Sequence, residues 1–432
     1  MAEKKKGGMN LKLAVIGDTH LGAKWGTQRE EDPFDQAEEA LRKAVEGDVD
    51  LILLLGDLFD TRAPRHEVWV RAMRLFTLPR MAKGRMRLVG VKGKEEKEIS
   101  PLSLQGIPVV ALHGNHESRT EGLKNPVEVL EAAGMLIHLH RETVIFEGPG
   151  GRVAVHGMSH VPERYSKSFL QTWNPKPVEG AFNVLMLHQS LGQYVFSTEE
   201  SPGIFPEDLP KGFDLYLCGH VHYRAEASVW GRPLLFPGST ERTQLLPIEA
   251  QSQKGFYLVE GGRPRFVELE TPRDFFYEEV DAEGMDVHQL QERVRERVET
   301  LLSSRRRNMK KLPLIRLRLK GRLARGKKGD FEDSSLVEEF SDRALLVISK
   351  EDLSSPQEEV RREVLERLKD ARSLEEMTLR LLEQQLSELK YSYGLEARSL
   401  YTLMLEGKEG EVEEKVRAFV RKMVEIELGG GR

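Results

Sequence analysis

The sequence predicts an α/β fold of two packed sheets flanked by helices, then a small α+β cap and a C-terminal run of helix. Three observations predict it. First, apolar runs stop at a glycine followed by a polar residue. Leu51–Leu55 is five straight apolar residues ended by Gly56-Asp57, and Leu11–Ile16 ends at Gly17-Asp18 in the same layout. Runs of this kind read as strands buried on both faces. Second, Asp35–Val45 carries apolar residues at helical spacing and crosses between those two strands, which makes a βαβ unit and implies a parallel sheet. Third, from about Ile137 short β-rich segments follow one another without long helices between them, which points to a second sheet.

The totals bound the answer. A chain of 432 residues suggests two or three domains. Its charged fraction of 31% exceeds the usual quarter, which is compatible with heat adaptation. A net charge of -5 excludes a uniformly basic coat, so an anionic partner must be held by local basic patches or by metal. The single cysteine, Cys218, excludes an intrachain disulfide and fits a reducing compartment. No apolar run has the length of a membrane span or the form of a signal peptide. The expectation is a soluble, cytoplasmic protein whose residues 1–10, with lysines at 4, 5 and 6, form a flexible tail.

Taken in order, Glu67–Phe76 is an amphipathic helix and Arg80–Ser100, rich in Lys, Arg and Gly, reads as loop or hairpin. Ile107–Leu112 is a third strand, ending at Gly114-Asn115-His116-Glu117. Asn125–Ala133 is a helix with Pro126 suited to its first turn. Strands are expected at Thr143–Phe146, Val153–Val155, Asn183–Leu187, Leu215–Cys218, Pro233–Phe236 and Gly255–Glu260. Met285–Leu301 is helical, and Leu314–Lys320 alternates apolar and basic residues as a half-exposed strand does. Between Arg305 and Lys328 there is no acidic residue. Ser354-Ser355-Pro356 reads as a linker, and Glu358–Val424 is nearly all helix signal with breaks at Gly394 and Gly407.

The chemistry-bearing residues sit at the predicted strand ends: Asp18-x-His20, Asp57, Asn115-His116, His188 and His220-x-His222. Ligands in open α/β sheets gather at the carboxyl ends of strands. Asp57 is therefore held on a rigid support, and it is read as bridging two metal ions whose cages the other motifs complete. Oxygen and nitrogen donors without cysteine favour manganese, iron or zinc. A single histidine or aspartate at a strand end is usually a turn residue; the set of five in order carries the reading. His113, His156 and His160 are read as structural, and His66, His138, His140 and His288 as surface. Cys218 is read as packed in its strand.

That order of motifs resembles the calcineurin-like metallophosphoesterase superfamily over residues 11–260. The resemblance implies one ion held by Asp18, His20, Asp57 and His222, and a second held by Asp57, Asn115, His188 and His220. It implies that His116 touches the phosphate or protonates the leaving oxygen. The Asp-Arg-Gly signature of protein Ser/Thr phosphatases is absent, since Asp60-Thr61-Arg62-Ala63 stands there.

Through Gly17–Gly22, Gly56–Phe59, Gly114–Glu117, Gly219–His222 and the later strand Leu314–Lys320, the whole chain resembles the double-strand-break repair nuclease family. That family is called SbcD in bacteria and meiotic-recombination-eleven in archaea and eukaryotes, and the resemblance is to the archaeal type. Many archaeal and eukaryotic members carry His where Asp60 stands, as bacterial members carry Asp, which bears on any phosphate contact there. The implied layout is a metallophosphoesterase sandwich at 11–270, a DNA-binding cap at 271–350, a linker at 351–356 and a helical partner-binding segment at 357–428.

What the resemblance implies for function is a nucleoid-associated, manganese-dependent nuclease with two ions per subunit. It would be a 3'-5' exonuclease on duplex ends and an endonuclease on single strands. It would act as a homodimer through Glu67–Phe76 and Asn125–Ala133, bound to a coiled-coil ABC-type ATPase. In the basic run, Arg305, Arg306, Arg307, Lys310 and Lys311 are expected to meet the DNA backbone, and the apolar faces around Leu379–Leu389 and Leu400–Met404 to dock on the coiled coil. The alternatives are another phosphoesterase, acting on nucleotides or phosphoproteins, and a DNA-end tether with weak catalysis.

Overall fold

Runs of apolar β-formers become the middle strands of two sheets stacked face to face. The computed structural model describes residues 11–119, 122–195, 201–304, 308, 310–356, 374–387 and 396–429. It divides into two compact units. One comprises Met1–Glu278, Val298–Arg316 and Val337–Val347; the other comprises Glu279–Arg297, Leu317–Leu336 and Ile348–Arg432.

In the first unit, one sheet has the order Arg263–Glu268, Gly255–Glu260, Lys12–Ile16, Leu51–Leu54, Val109–Ala111, Ile137–His138. Leu13 stands beside Leu51 and Ile52 beside Val109, all in parallel register. The three strands expected at 11–16, 51–55 and 107–112 therefore end on one edge. The second sheet runs Ala225–Val229, Arg232–Phe236, Leu215–Gly219, Phe182–His188, Gly151–Met158, Glu142–Gly148, Arg87–Lys92. Its central pairs are also parallel, with Val155 beside Val184 and His188 beside Gly219.

Alternation sorts these strands into layers. Leu13, Val15, Leu51, Leu53, Val110, Val155, Val184, Met186 and Leu217 form the core between the sheets. Ala14, Ile52, Leu54 and Val109 face outward against the helices Asp32–Glu46, His66–Met81 and Pro126–Ala132. Every residue of Leu51–Leu54 is 2% exposed or less. Each such side chain contributes about 1.5–3 kcal/mol, and a charge at Leu53 would have no exit to water.

The helices begin where their sequences allow. Pro33 sits in the first turn of Asp32–Glu46. Asn125 caps Pro126–Ala132, accepting from the Glu128 amide at 3.0 Å, while the Glu128 carboxylate accepts from the Asn125 amide at 2.9 Å.

Three expectations need correction. Arg87–Lys92, expected as loop or hairpin, is an edge strand paired with Glu142–Gly148; its charged residues are the feature that protects an exposed edge. Glu163–Trp173 is a helix of 11 residues lying between strands of the second sheet, where no long helix was expected. Its buried residues are only Ser166 and Leu170, too narrow a stripe to reveal the period. His138 is not at the surface: it is 8% exposed, and its Nε2 lies 2.9 Å from His113 Nδ1.

A third sheet has the order Phe275–Asp281, Leu314–Arg322, Leu345–Ser354. In the second unit the last described helices are Leu374–Ser387, Ala397–Leu405 and Glu409–Gly429. Leu400 and Phe419 pack with Leu382, Leu386 and Val412. Gly407 breaks the helix as expected, whereas Gly394 lies outside the described residues. Among the described residues no helix is long and apolar enough to cross a membrane.

Candidate metal centre

The two sheets deliver their polar residues from adjacent strand ends. Asp18 and His20 follow Lys12–Ile16, Asp57 follows Leu51–Leu54, and Asn115 and His116 follow Val109–Ala111. His188 closes Phe182–His188, and His220 and His222 follow Leu215–Gly219. The backbone bends sharply there. His20 and Asp57 both have φ 45°, and His220 has φ 78°. Left-handed backbone at non-glycine residues costs about 1–3 kcal/mol each and clusters at functional sites. Glycines give the room. A Cβ on Gly114 would lie 2.0 Å from Asp57 Oδ1, and one on Gly56, at φ 99°, would lie 2.4 Å from His188 Nδ1.

Hydrogen bonds aim the donors inward. His188 Nδ1 donates to the Leu55 carbonyl at 2.6 Å. Its Nε2 then faces the site, 3.3 Å from Asp57 Oδ2 and 3.2 Å from Asn115 Oδ1. His220 Nδ1 lies 2.9 Å from the same Asn115 oxygen. His222 Nδ1 is 2.7 Å from Thr243 Oγ1, which leaves its Nε2 facing His20 Nε2 at 3.0 Å. His116 Nδ1 donates to the Asp60 carbonyl at 2.9 Å, and the His116 amide donates to Asp57 Oδ1 at 2.9 Å. Glu117 is fully buried and clamps two loops, accepting from Phe59 N at 2.8 Å and Gly114 N at 2.9 Å.

The electrostatics follow from crowding charge in a buried place. Burial works against ionising Asp57, but His188 beside it outweighs burial and holds the carboxyl far below its usual range. Burial likewise disfavours a charged His188, yet Asp57 and Asp18 raise it to about 9. Asp18, penalised first by burial and then by the Asp57 charge, is raised. Burial and the neighbouring His20 keep His222 neutral. Burial raises Glu117 to about 8, helped by Asp57.

These residues fit divalent cations. Ligand atoms of Asp57, His188 and His220 lie within 4.8 Å of one another, and so do those of His20, Asp57 and His116. Asp57 belongs to both groups. Its Oδ2 is buried with no hydrogen bond among the described residues. An imidazole-facing-imidazole approach at 3.0 Å and an unbonded carboxylate oxygen are what a cation would satisfy.

All eight expected site residues thus stand together. Asp18 sits one step back: its carboxylate accepts from the His220 amide at 3.2 Å and lies 3.4 Å from His188 Nδ1. Sequence reasoning connected Asp60 only with a phosphate contact and missed that its Oδ1 lies 3.2 Å from His20 Nδ1; it gave no role to Thr243, which no motif marks. Of the expected DNA contacts, Arg305, Arg306 and Arg307 lie outside the described residues. Lys310 is exposed, and Lys311 pairs with Asp32 at 2.9 Å and Asp35 at 2.7 Å. His156 is buried, between Thr143 and Asn183, as a structural residue should be. Cys218 is fully buried in its strand, where burial raises its thiol to about 12.

Residues 11–224 match the family model of the calcineurin-like phosphoesterases, so this part of the chain carries that family's domain. Its curated relatives include the DNA double-strand break repair protein Mre11 of Methanopyrus kandleri, 30% identical over 311 residues, which are 66% of this chain and 62% of that protein. The protein of the same name from Archaeoglobus fulgidus is 27% identical over 64% of this chain and 63% of its own length. The human double-strand break repair protein MRE11 is 27% identical over 62% of this chain and 42% of its own length. The chain therefore spans less than two thirds of the length of each of these relatives.

Proposed function

We propose that the protein is a manganese-dependent DNA nuclease that processes double-strand breaks, acting 3'-5' on duplex ends and endonucleolytically on single strands. The observation that carries the reading is the sharing of Asp57 by two convergent donor groups. The relatives named for DNA double-strand break repair support the substrate.

A pair of divalent cations supplies a nucleophile at neutral pH and positive charge against the phosphoryl oxygens. Asp18, His20, Asp57 and His222 would hold one, and Asp57, Asn115, His188 and His220 the other. His116 has Nδ1 committed to the Asp60 carbonyl, so its Nε2 is the atom that can carry a proton to the leaving oxygen. His188 and His222 are held in a single ring orientation by Leu55 and Thr243. Arg305, Arg306, Arg307 and Lys310 offer backbone contacts without sequence reading; Lys311 belongs to the same basic run. The protein would work as a homodimer with a coiled-coil ABC-type ATPase docked on its C-terminal helices, in the cytoplasm near the nucleoid.

The test is cleavage of a linear duplex and of a single-stranded circle by wild type and His116→Ala, with manganese, magnesium or chelator. Manganese-dependent loss of both substrates in wild type alone supports the reading. Hydrolysis of nitrophenyl phosphate with both DNAs intact would move the protein to a different phosphoesterase class.

A further inference from the structure

We infer that Lys254 and Glu249 form a buried lock whose task is to position His222, and that the lock sets the site's affinity for divalent cations. The inference rests on the proposed ligand role of His222. Lys254 precedes the strand Gly255–Glu260 and is 2% exposed. Its ammonium donates to the carbonyl of His222 at 2.9 Å, to Ser239 Oγ at 2.8 Å and to Glu249 Oε1 at 2.8 Å. Three protons thus meet three acceptors. Glu249 is also buried, and its other oxygen accepts from the Gln244 amide at 3.0 Å.

The lock acts on one loop. Ser239 to Thr243 lies between two of the strand-end loops that carry proposed ligands. The Ser239 amide donates to the His222 carbonyl at 3.2 Å, and the Thr240 amide donates to the Asp18 carbonyl at 2.9 Å. Thr243 Oγ1 meets the His222 ring at Nδ1. There is no slack: a Cβ on Gly238 would lie 2.8 Å from the His222 carbonyl, and one on Gly17 would lie 2.0 Å from the Gly238 carbonyl. Lys254 holds the start of this loop through Ser239 and, through Glu249, the amide of Gln244 just beyond its end. The same ammonium holds the His222 peptide directly. Burying an ammonium and a carboxylate costs several kcal/mol each before pairing. A neutral core would hold the strand as well. What it would not do is donate to the His222 carbonyl.

Two double variants separate positioning from filling. Lys254→Met with Glu249→Leu removes both charges and the donor. Lys254→Gln with Glu249→Gln removes the charges but keeps an N–H for the carbonyl. Manganese binding is read by calorimetry and by the electron paramagnetic resonance of free Mn²⁺, with circular dichroism reporting the fold. The Met/Leu variant is expected to be folded and to bind about tenfold more weakly, the scale of changes behind a metal-binding histidine. The Gln/Gln variant is expected to stay within about threefold of wild type. Wild-type affinity in a folded Met/Leu variant overturns the inference. So does a tenfold loss in a folded Gln/Gln variant, which remains decisive if the Met/Leu variant fails to fold. Absence of manganese binding by the wild type would instead overturn the functional reading.

Discussion

Asp60 Oδ1 stands 3.2 Å from Nδ1 of His20, while the carbonyl of the same residue takes the Nδ1 proton of His116 at 2.9 Å. One residue thus orients a proposed ligand with its side chain and the proposed proton donor with its backbone. Carboxylates behind metal-binding imidazoles fix the ring and raise its basicity. Asp60→Ala is expected to weaken manganese binding by about tenfold, while His116 keeps its carbonyl partner. Titration with Mn²⁺ measures it; unchanged affinity would remove Asp60 from the account.

Gly114→Ala puts a methyl 2.0 Å from the Asp57 carboxylate. The expected outcome is a folded protein that binds neither ion measurably, because Asp57 belongs to both donor groups. Gly329→Ala meets nothing within 4 Å and should bind as wild type does. Equal manganese stoichiometry in the two variants would contradict the shared-aspartate arrangement.

Acid should unfold the protein early. Burial lowers His138 to about 3, and His140 and His156 to about 4. Each ring binds its proton more readily in the unfolded chain, where the value is about 6.5. Their stabilising contribution is complete above pH 6.5 and is lost as pH falls through about 4. Unfolding free energies from urea titrations between pH 7 and 4.5 should fall with a slope of up to about 1.4 kcal/mol per pH unit for each group. His156→Gln should flatten the slope by about one proton. A flat wild-type profile would refute the assignment.

Asp32 is fully buried and meets three cations: Arg29 at 3.6 Å, Arg273 at 2.6 Å and Lys311 at 2.9 Å. Asp32→Ala removes the carboxylate that Arg273 pairs with, while Arg29 keeps Glu241 and Lys311 keeps Asp35, and a loss of about 3 kcal/mol is expected. Thermal unfolding should drop by roughly 3–5 °C, with manganese affinity little changed. A shift under 2 °C would show that the cluster contributes nothing to stability.

Much of this was legible beforehand because it is local. The strands ending at Gly17, Gly56 and Gly114 declare themselves through apolar runs cut by glycine, and every proposed ligand lies within a few residues of such an end. What escaped is non-local. Thr243 and Lys254 act on His222 across 21 and 32 residues of chain, and no periodicity records that. Arg87–Lys92 is hidden because Gly90 interrupts its short apolar run and Lys, Arg and Gly crowd both sides, as an edge strand paired on one side only allows. His138 looked like a surface residue because nothing in its neighbourhood announces the carbonyl-bound Lys94 and the histidines that enclose it.

The proposed ligands are divided between two separate layers, with Asp18, Asp57 and Asn115 on one and His188, His220 and His222 on the other. Whatever lets one layer slip over its neighbour pulls the cations' cage apart. Leu53, Val155 and Met186, none of them a proposed ligand, pack between the layers and so keep them aligned. Trimming them should blunt catalysis while the molecule still looks folded, because half an ångström of shear matters to a metal and hardly at all to a sheet.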